Sequence, residues 1–216
     1  MMGRLLSLTL VLATATVSTA EAQLDLRVPF DTRLDPVAER PSPEALRRVR
    51  AANLAEHRRE GWWVFGWGVV SALAGGAIAI ALRDDAEWLS FGLTTAAFGA
   101  IDAGLALGMV DLSGGEREAI EAGRLGELTD PEAILDESIT AQRKAGQVFA
   151  LNFGLDVAYI TAGILMFFLG RAQDPDEGLL TGSGVAMISQ GAFLLGFDLI
   201  AWIRTGQRAA DLEALR

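Results

Sequence analysis

Three aspartates stand alone inside long apolar stretches of this chain: Asp102, Asp156 and Asp198. A carboxyl in such a setting has three uses. It can carry a proton, bind a cation together with amide oxygens, or hold helices together as a neutral hydrogen-bonding group. Polar neighbours recur at helical spacing around them. Asn152 is one turn before Asp156 and Tyr159 one turn after it; Gln190 precedes Asp198 by about two turns, and Thr94 and Thr95 precede Asp102 by as much. No Lys, Arg or His lies in these stretches to neutralise a carboxylate. The candidate site for an ion, a proton or polar packing is therefore Asp102, Asn152, Asp156, Tyr159, Gln190 and Asp198. Polar packing is the commoner use, so a structural role leads and binding or transport is the alternative. A third arrangement would have Arg58, Arg143, Lys144 or Arg204 reach down from the interface to pair with the acids.

Other chemistry is thinly represented. There is no cysteine, which removes disulfides, thiolate metal sites and thiol nucleophiles, and the single histidine, His57, removes multi-histidine metal sites. Glu56, His57 and Glu60 share a helical face, but a solvated helix of mixed charge explains them better than a metal centre. Ser183 sits between two glycines with no histidine or lysine nearby to act as a base. Phosphate-binding loops, nucleophile elbows, zinc-protease motifs and dinucleotide fingerprints do not occur. No catalytic residue, metal or cofactor is expected. A net charge of −10 argues against nucleic acid as a partner.

The elements that must position the acids are membrane helices. Just over half the chain is apolar, 24 of its 216 residues are glycine, and the charges avoid four stretches. Residues 62–82 carry no charge; 88–110, 147–169 and 179–203 carry one aspartate each. Each is at least as long as the roughly 20 residues that span a hydrocarbon core. Trp62, Trp63, Trp88 and Trp202 mark span ends, where indole rings favour the headgroup layer. The lipid bilayer is thus the first partner. Counted from the nearer end of each span, the three acids fall at one depth, roughly 8–13 Å below the same surface at about 1.5 Å per residue.

The spans form two copies of one unit. Ser42-Pro43-Glu44-Ala45-Leu46 recurs as Asp130-Pro131-Glu132-Ala133-Ile134, in each case an N-cap, a first-turn proline and a first-turn acid. Each copy leads through a polar helix to a basic pair and a glycine, then to a span, a short acidic loop and a second span. Ile101-Asp102 matches Phe197-Asp198. The expected fold is all-α: four transmembrane helices from a parallel tandem duplication of a two-helix unit, a short amphipathic helix preceding each unit. The units cover residues 42–112 and 130–205, with a linker at 113–129 and a C-terminal tail at 206–216.

The stretch Asn152-Phe153-Gly154-Leu155-Asp156-Val157-Ala158-Tyr159-Ile160, with Gln190-Gly191-Ala192-Phe193-Leu194 and Phe197-Asp198, resembles a family of uncharacterised four-helix bacterial membrane proteins. The resemblance covers the last third of the chain best. It implies a signal peptide, four helices and no known activity.

Arg4, an apolar run from Leu5 to Val17 and the small residues of Ala20-Glu21-Ala22 read as a cleavable signal peptide over residues 1–22, followed by an extended segment at 23–41. Cleavage places the new N-terminus outside a bacterial cytoplasmic membrane. Fifteen bases then lie outside and two inside, against the positive-inside tendency. Small residues form ladders at four-residue spacing, Gly92, Ala96, Ala100, Gly104 and Gly108 in the second span and Ala150, Gly154, Ala158 and Ala162 in the third. Faces of this kind let helices approach closely, within the bundle or in a homodimer.

Overall fold

The computed structural model describes residues 41–110, 130–173 and 178–216. The expected signal peptide, the 113–129 linker and the acidic loop at 174–177 lie outside them. Local capping chemistry opens the helices. The Ser42 hydroxyl accepts the Ala45 amide at 3.2 Å, and Pro43 begins α1 (Pro43–Ala81). The Asp85 carboxylate accepts the Glu87 and Trp88 amides at 3.1 and 3.3 Å to open α2 (Ala86–Ala106). Asp130 accepts the Glu132 amide at 3.1 Å ahead of α3 (Pro131–Gln173). Gly178, at φ 60°, turns the chain into α4 (Leu179–Glu213) in a conformation that favours glycine. All four helices are long and apolar enough to cross a membrane.

The short amphipathic helices expected at 42–60 and 130–146 are not separate elements. Each is the N-terminal half of one unbroken helix that continues into the span. Gly61 and Gly146 fall mid-helix, and a lone glycine costs only about 1 kcal/mol relative to alanine, too little to break a helix packed along its length. The second span is shorter than expected. α2 stops at Ala106, and Val110 folds over Gly61 of α1. The expected C-terminal tail is instead the last turns of α4.

Helix length explains the architecture. At about 1.5 Å per residue, the 21 residues of α2 just match a hydrocarbon core of about 30 Å. The 39, 43 and 35 residues of α1, α3 and α4 exceed it by roughly 20–35 Å. The polar ends of those three project on the side where α2 terminates and pack together. Leu46, Val49 and Ala51 of α1, Ile134, Leu135 and Ile139 of α3, and Leu212 of α4 form a core of ordinary soluble type. Ion pairs Arg50–Glu137, Arg143–Glu213 and Arg216–Asp136 tie its surface.

In the apolar part, α1 packs on α2 and α3 on α4, and the hairpins meet chiefly through α2 and α4. Glycines seven residues apart make both hairpins close. A Cβ on Gly75 would lie 2.5 Å from the Ala96 nitrogen, and one on Gly68 2.5 Å from that of Ala103. In the second hairpin Gly163 meets the Gly184 carbonyl and Gly170 meets Thr181. The four-residue ladders do not face one partner. Each four-residue step turns about 40° around a helix, so a ladder spirals off any contact. Gly92 and Ala96 face α1 together with Gly99, whereas Ala100, Gly104, Gly154 and Ala158 are exposed. Leu73, Ile80 and Leu105 are at least 70% exposed, an outward apolar surface suited to lipid.

Candidate functional site

α2, α3 and α4 each deliver one aspartate to the bundle interior. Asp102, Asp156 and Asp198 are 6%, 3% and 5% exposed. The Asp156 and Asp198 side chains come close enough to interact directly, with Asn152, one turn before Asp156 on α3, beside Asp198. Asp102 lies within electrostatic reach of both carboxyls. One oxygen of Asp102 and one of Asp156 are buried with no hydrogen-bond partner. Two carboxyls that approach one another can share a hydrogen bond only with a proton on one of them. Two ionised carboxylates at that separation would repel instead.

The expected cation partners go elsewhere. Arg143 donates to Glu213 at 2.6 Å, and Arg59 to Glu56 at 2.8 Å. Among the described residues no base pairs with the three aspartates. Among the described residues no group of three acidic, histidine or cysteine side chains is close enough together to hold a metal ion.

Two candidate residues stand apart from the acids. Gln190 is buried, but its carbonyl oxygen accepts the Trp67 indole N–H at 2.8 Å. Tyr159 is 38% exposed and sets its ring edge-on to Phe98, with centroids 5.6 Å apart. The Phe193 ring stacks on Trp67 at 3.8 Å, and this pair lies on the far side of the acids from the three-helix extension. Ser183 accepts the Thr94 hydroxyl at 3.1 Å, a contact between α2 and α4 with no base in it.

A second polar cluster lies in the extension, and sequence reasoning did not find it. Glu60, read as part of a solvated helix, is 5% exposed, and Arg208 is 6% exposed. Arg208 donates to Glu60 Oε1 at 3.1 Å and approaches Glu56 at 3.7 Å. His57 Nδ1 lies 3.1 Å from Glu60 Oε2. Burial on its own would push the Glu60 carboxyl up. The close His57 nitrogen and the Arg208 guanidinium outweigh burial and hold it below the usual glutamate range. Nothing local announces this pair, because its members are 148 residues apart and each sits in a run of charges. The one available clue was period: Asn53, Glu60 and Gly61 fall on the face of α1 that also carries the buried Leu46 and Val49.

Comparison with characterised proteins gives no match, and neither does comparison with solved structures. A family model does match, over residues 63–199, a stretch that holds all three aspartates and reaches into all four helices. With more than half of its length inside that match, the chain belongs to the Family of unknown function (DUF6992).

Proposed function

We propose that this protein is a non-catalytic multi-pass membrane protein whose bundle centre takes up and releases a proton at Asp156 and Asp198, with Asp102 as the third carboxyl of the site. The observation that carries this is the close approach of two buried carboxyls from different helices, with no base paired to them among the described residues. A shared proton ties α3 to α4, and its loss converts the tie into repulsion. The structural reading remains as the second: the same pair, permanently protonated, fixing helix register.

Infrared spectroscopy of the protein in lipid nanodiscs separates the two. A protonated pair gives a carboxylic acid C=O band that Asp156→Asn or Asp198→Asn removes. If that band rises and falls reversibly with bulk pH, the pair exchanges protons; a band indifferent to pH makes the acids packing groups. A wild-type protein without the band, or a band that survives both substitutions, removes the proposal.

The tandem duplication belongs to the same proposal, supported by the equal heptad spacing of Gly68 and Gly75 in one hairpin and Gly163 and Gly170 in the other. So does residence in a bacterial cytoplasmic membrane with the N-terminus outside. A homodimer would use the outward small residues Ala100, Gly104, Gly154 and Ala158. Gly154→Leu, which meets nothing within the monomer, would then shift the mass of the detergent-solubilised particle to that of one chain.

A further inference from the structure

The three-helix extension holds more polar side chain than its fold needs. Asn53 and Gln142 are 5% and 3% exposed. Asn53 Nδ2, Gln142 Oε1, Arg204 Nε and Arg208 Nη1 are all buried without a hydrogen-bond partner in the protein. They fall within about three turns of one another along the bundle. On α1, Asn53, Glu56 and Glu60 repeat at three- and four-residue spacing, which puts them on one face. On α4, Arg204 and Arg208 are one turn apart, and Arg208 meets both Glu56 and Glu60. On α3, Gly146 packs against Thr205 of α4, and because the two helices are antiparallel this brings Gln142, one turn earlier, to the level of Arg208. Donors and acceptors are both left over, beside two glutamates that already pair with Arg59 and Arg208. Water satisfies such a mixed set, and buried polar groups are rarely left bare.

Phe149 stands between these polar groups and the aspartates along α3, as the buried Ala201 does along α4. Phe149 is 3% exposed; its ring stacks on His57 at 6.4 Å and meets Phe197 edge-on at 6.2 Å. Asp198 follows Phe197 directly, and Asp156 lies two turns from Phe149 on the same face of α3. Arg208 and Asp198 are ten residues apart on α4, about 15 Å, so no direct hydrogen bond joins the two levels. The opposite side of the acids is closed differently, by the stacked Trp67 and Phe193 rings and the satisfied Trp67–Gln190 hydrogen bond. Thr95 Oγ1 of α2 is buried without a partner on that far side too, so the unpartnered polar atoms lie mostly, though not all, on the side of the extension.

From this asymmetry we infer that Asn53, Glu56, Glu60, Arg204 and Arg208 line a hydrated vestibule, entered past His57, through which protons reach Asp156 and Asp198, and that Phe149 is the constriction between them. This rests on the proton-binding reading of the aspartates. Phe149 offers no polar atom to a file of water, so the file is broken while the ring is seated and completed when it turns aside. His57, with its side chain 21% exposed, stands between solvent and the buried Glu60.

Isotope exchange tests the route. Protein in phosphatidylcholine–phosphatidylglycerol nanodiscs is moved from H2O to D2O, and the shift of the carboxylic acid C=O band gives the exchange rate at the Asp pair. Phe149→Ala should raise that rate about ten-fold or more, equivalent to about 1.4 kcal/mol of barrier. Phe149→Leu, which keeps most of the packing, should raise it in the same direction. Asn53→Leu should slow exchange by drying the vestibule, and Phe193→Leu on the far side should leave it unchanged. Acceleration by Phe193→Leu with no response to either Phe149 variant would place access on the other side and overturn the inference. No response to any of the four would overturn it equally. A missing acid band in wild type is a separate outcome, which removes the proton-binding reading and the route with it.

Discussion

A buried ion pair is costly to half-remove. Glu60 and Arg208 bring opposite charges out of water, and each is satisfied mainly by the other. Glu60→Ala or Arg208→Ala strands a charge and should lower stability by about 3–5 kcal/mol, read from thermal or denaturant unfolding in detergent. Replacing both together, as Glu60→Leu with Arg208→Met, should cost clearly less than either single change, because no charge is then left unpaired. The pH dependence has a definite sign. The Glu60 carboxyl is held below its ordinary value in the folded protein, so the folded state favours the ionised form. Its contribution is complete above the ordinary glutamate range and is lost as pH falls through the lowered folded value. Glu60→Gln should therefore flatten the acid limb of the stability profile; an acid limb identical to wild type would contradict this assignment. Two kinds of residue differ here in legibility. The aspartates show themselves in the sequence because one charge in twenty apolar residues is conspicuous. Glu60 and Arg208 do not, because a charge among charges looks solvated until the helix packed over it is known.

At the scale of the helix, glycine identity matters less than glycine position. A Cβ on Gly182 would collide with the Glu87 carbonyl and the Ser90 hydroxyl of α2, and one on Gly184 with the Gly163 carbonyl. Gly182→Ala and Gly184→Ala should each destabilise by about 1–3 kcal/mol, the usual range for overpacking a tight contact. Gly66, Gly76 and Gly196 meet nothing within 4 Å. Alanine there should be neutral or stabilising by up to about 1 kcal/mol through helix propensity alone. Melting curves of the five variants check the contrast, and a uniform response would contradict the packing described. The sequence advertised small residues every four positions, whereas the contacts run every seven. Composition reveals the material for close packing, but the crossing geometry of two particular helices selects which residues use it.

At the scale of the molecule, three long helices outrun the membrane and one does not, which gives four helices at one level and three at the other. Orientation is open to a direct measurement. With no native cysteine, Ser113→Cys, between the end of α2 and the start of α3 in sequence, gives a single label site. The N-out proposal expects an impermeant maleimide to label it on intact cells. Protection until the cells are permeabilised would reverse the orientation and place the vestibule on the cytoplasmic side.

What the sequence determined by itself was whatever depends on local pattern. Helix starts followed from Ser42, Asp85 and Asp130, because an N-cap acts over three residues. Four spans followed from uninterrupted apolar length, and the common depth of the aspartates from counting residues along a fixed rise. The tertiary structure decided what depends on pairs of helices. It brought Asp156 to Asp198, gave Gln190 to Trp67 instead of to the acids, and left Tyr159 at the bundle surface. It also fused the amphipathic segments to the spans and buried Glu60 against Arg208. The physical reason is the same each time. A hydrogen bond or a close contact needs two partners within a few ångströms, and the rotation of one helix against another, which sets that distance, is encoded in no single stretch of chain.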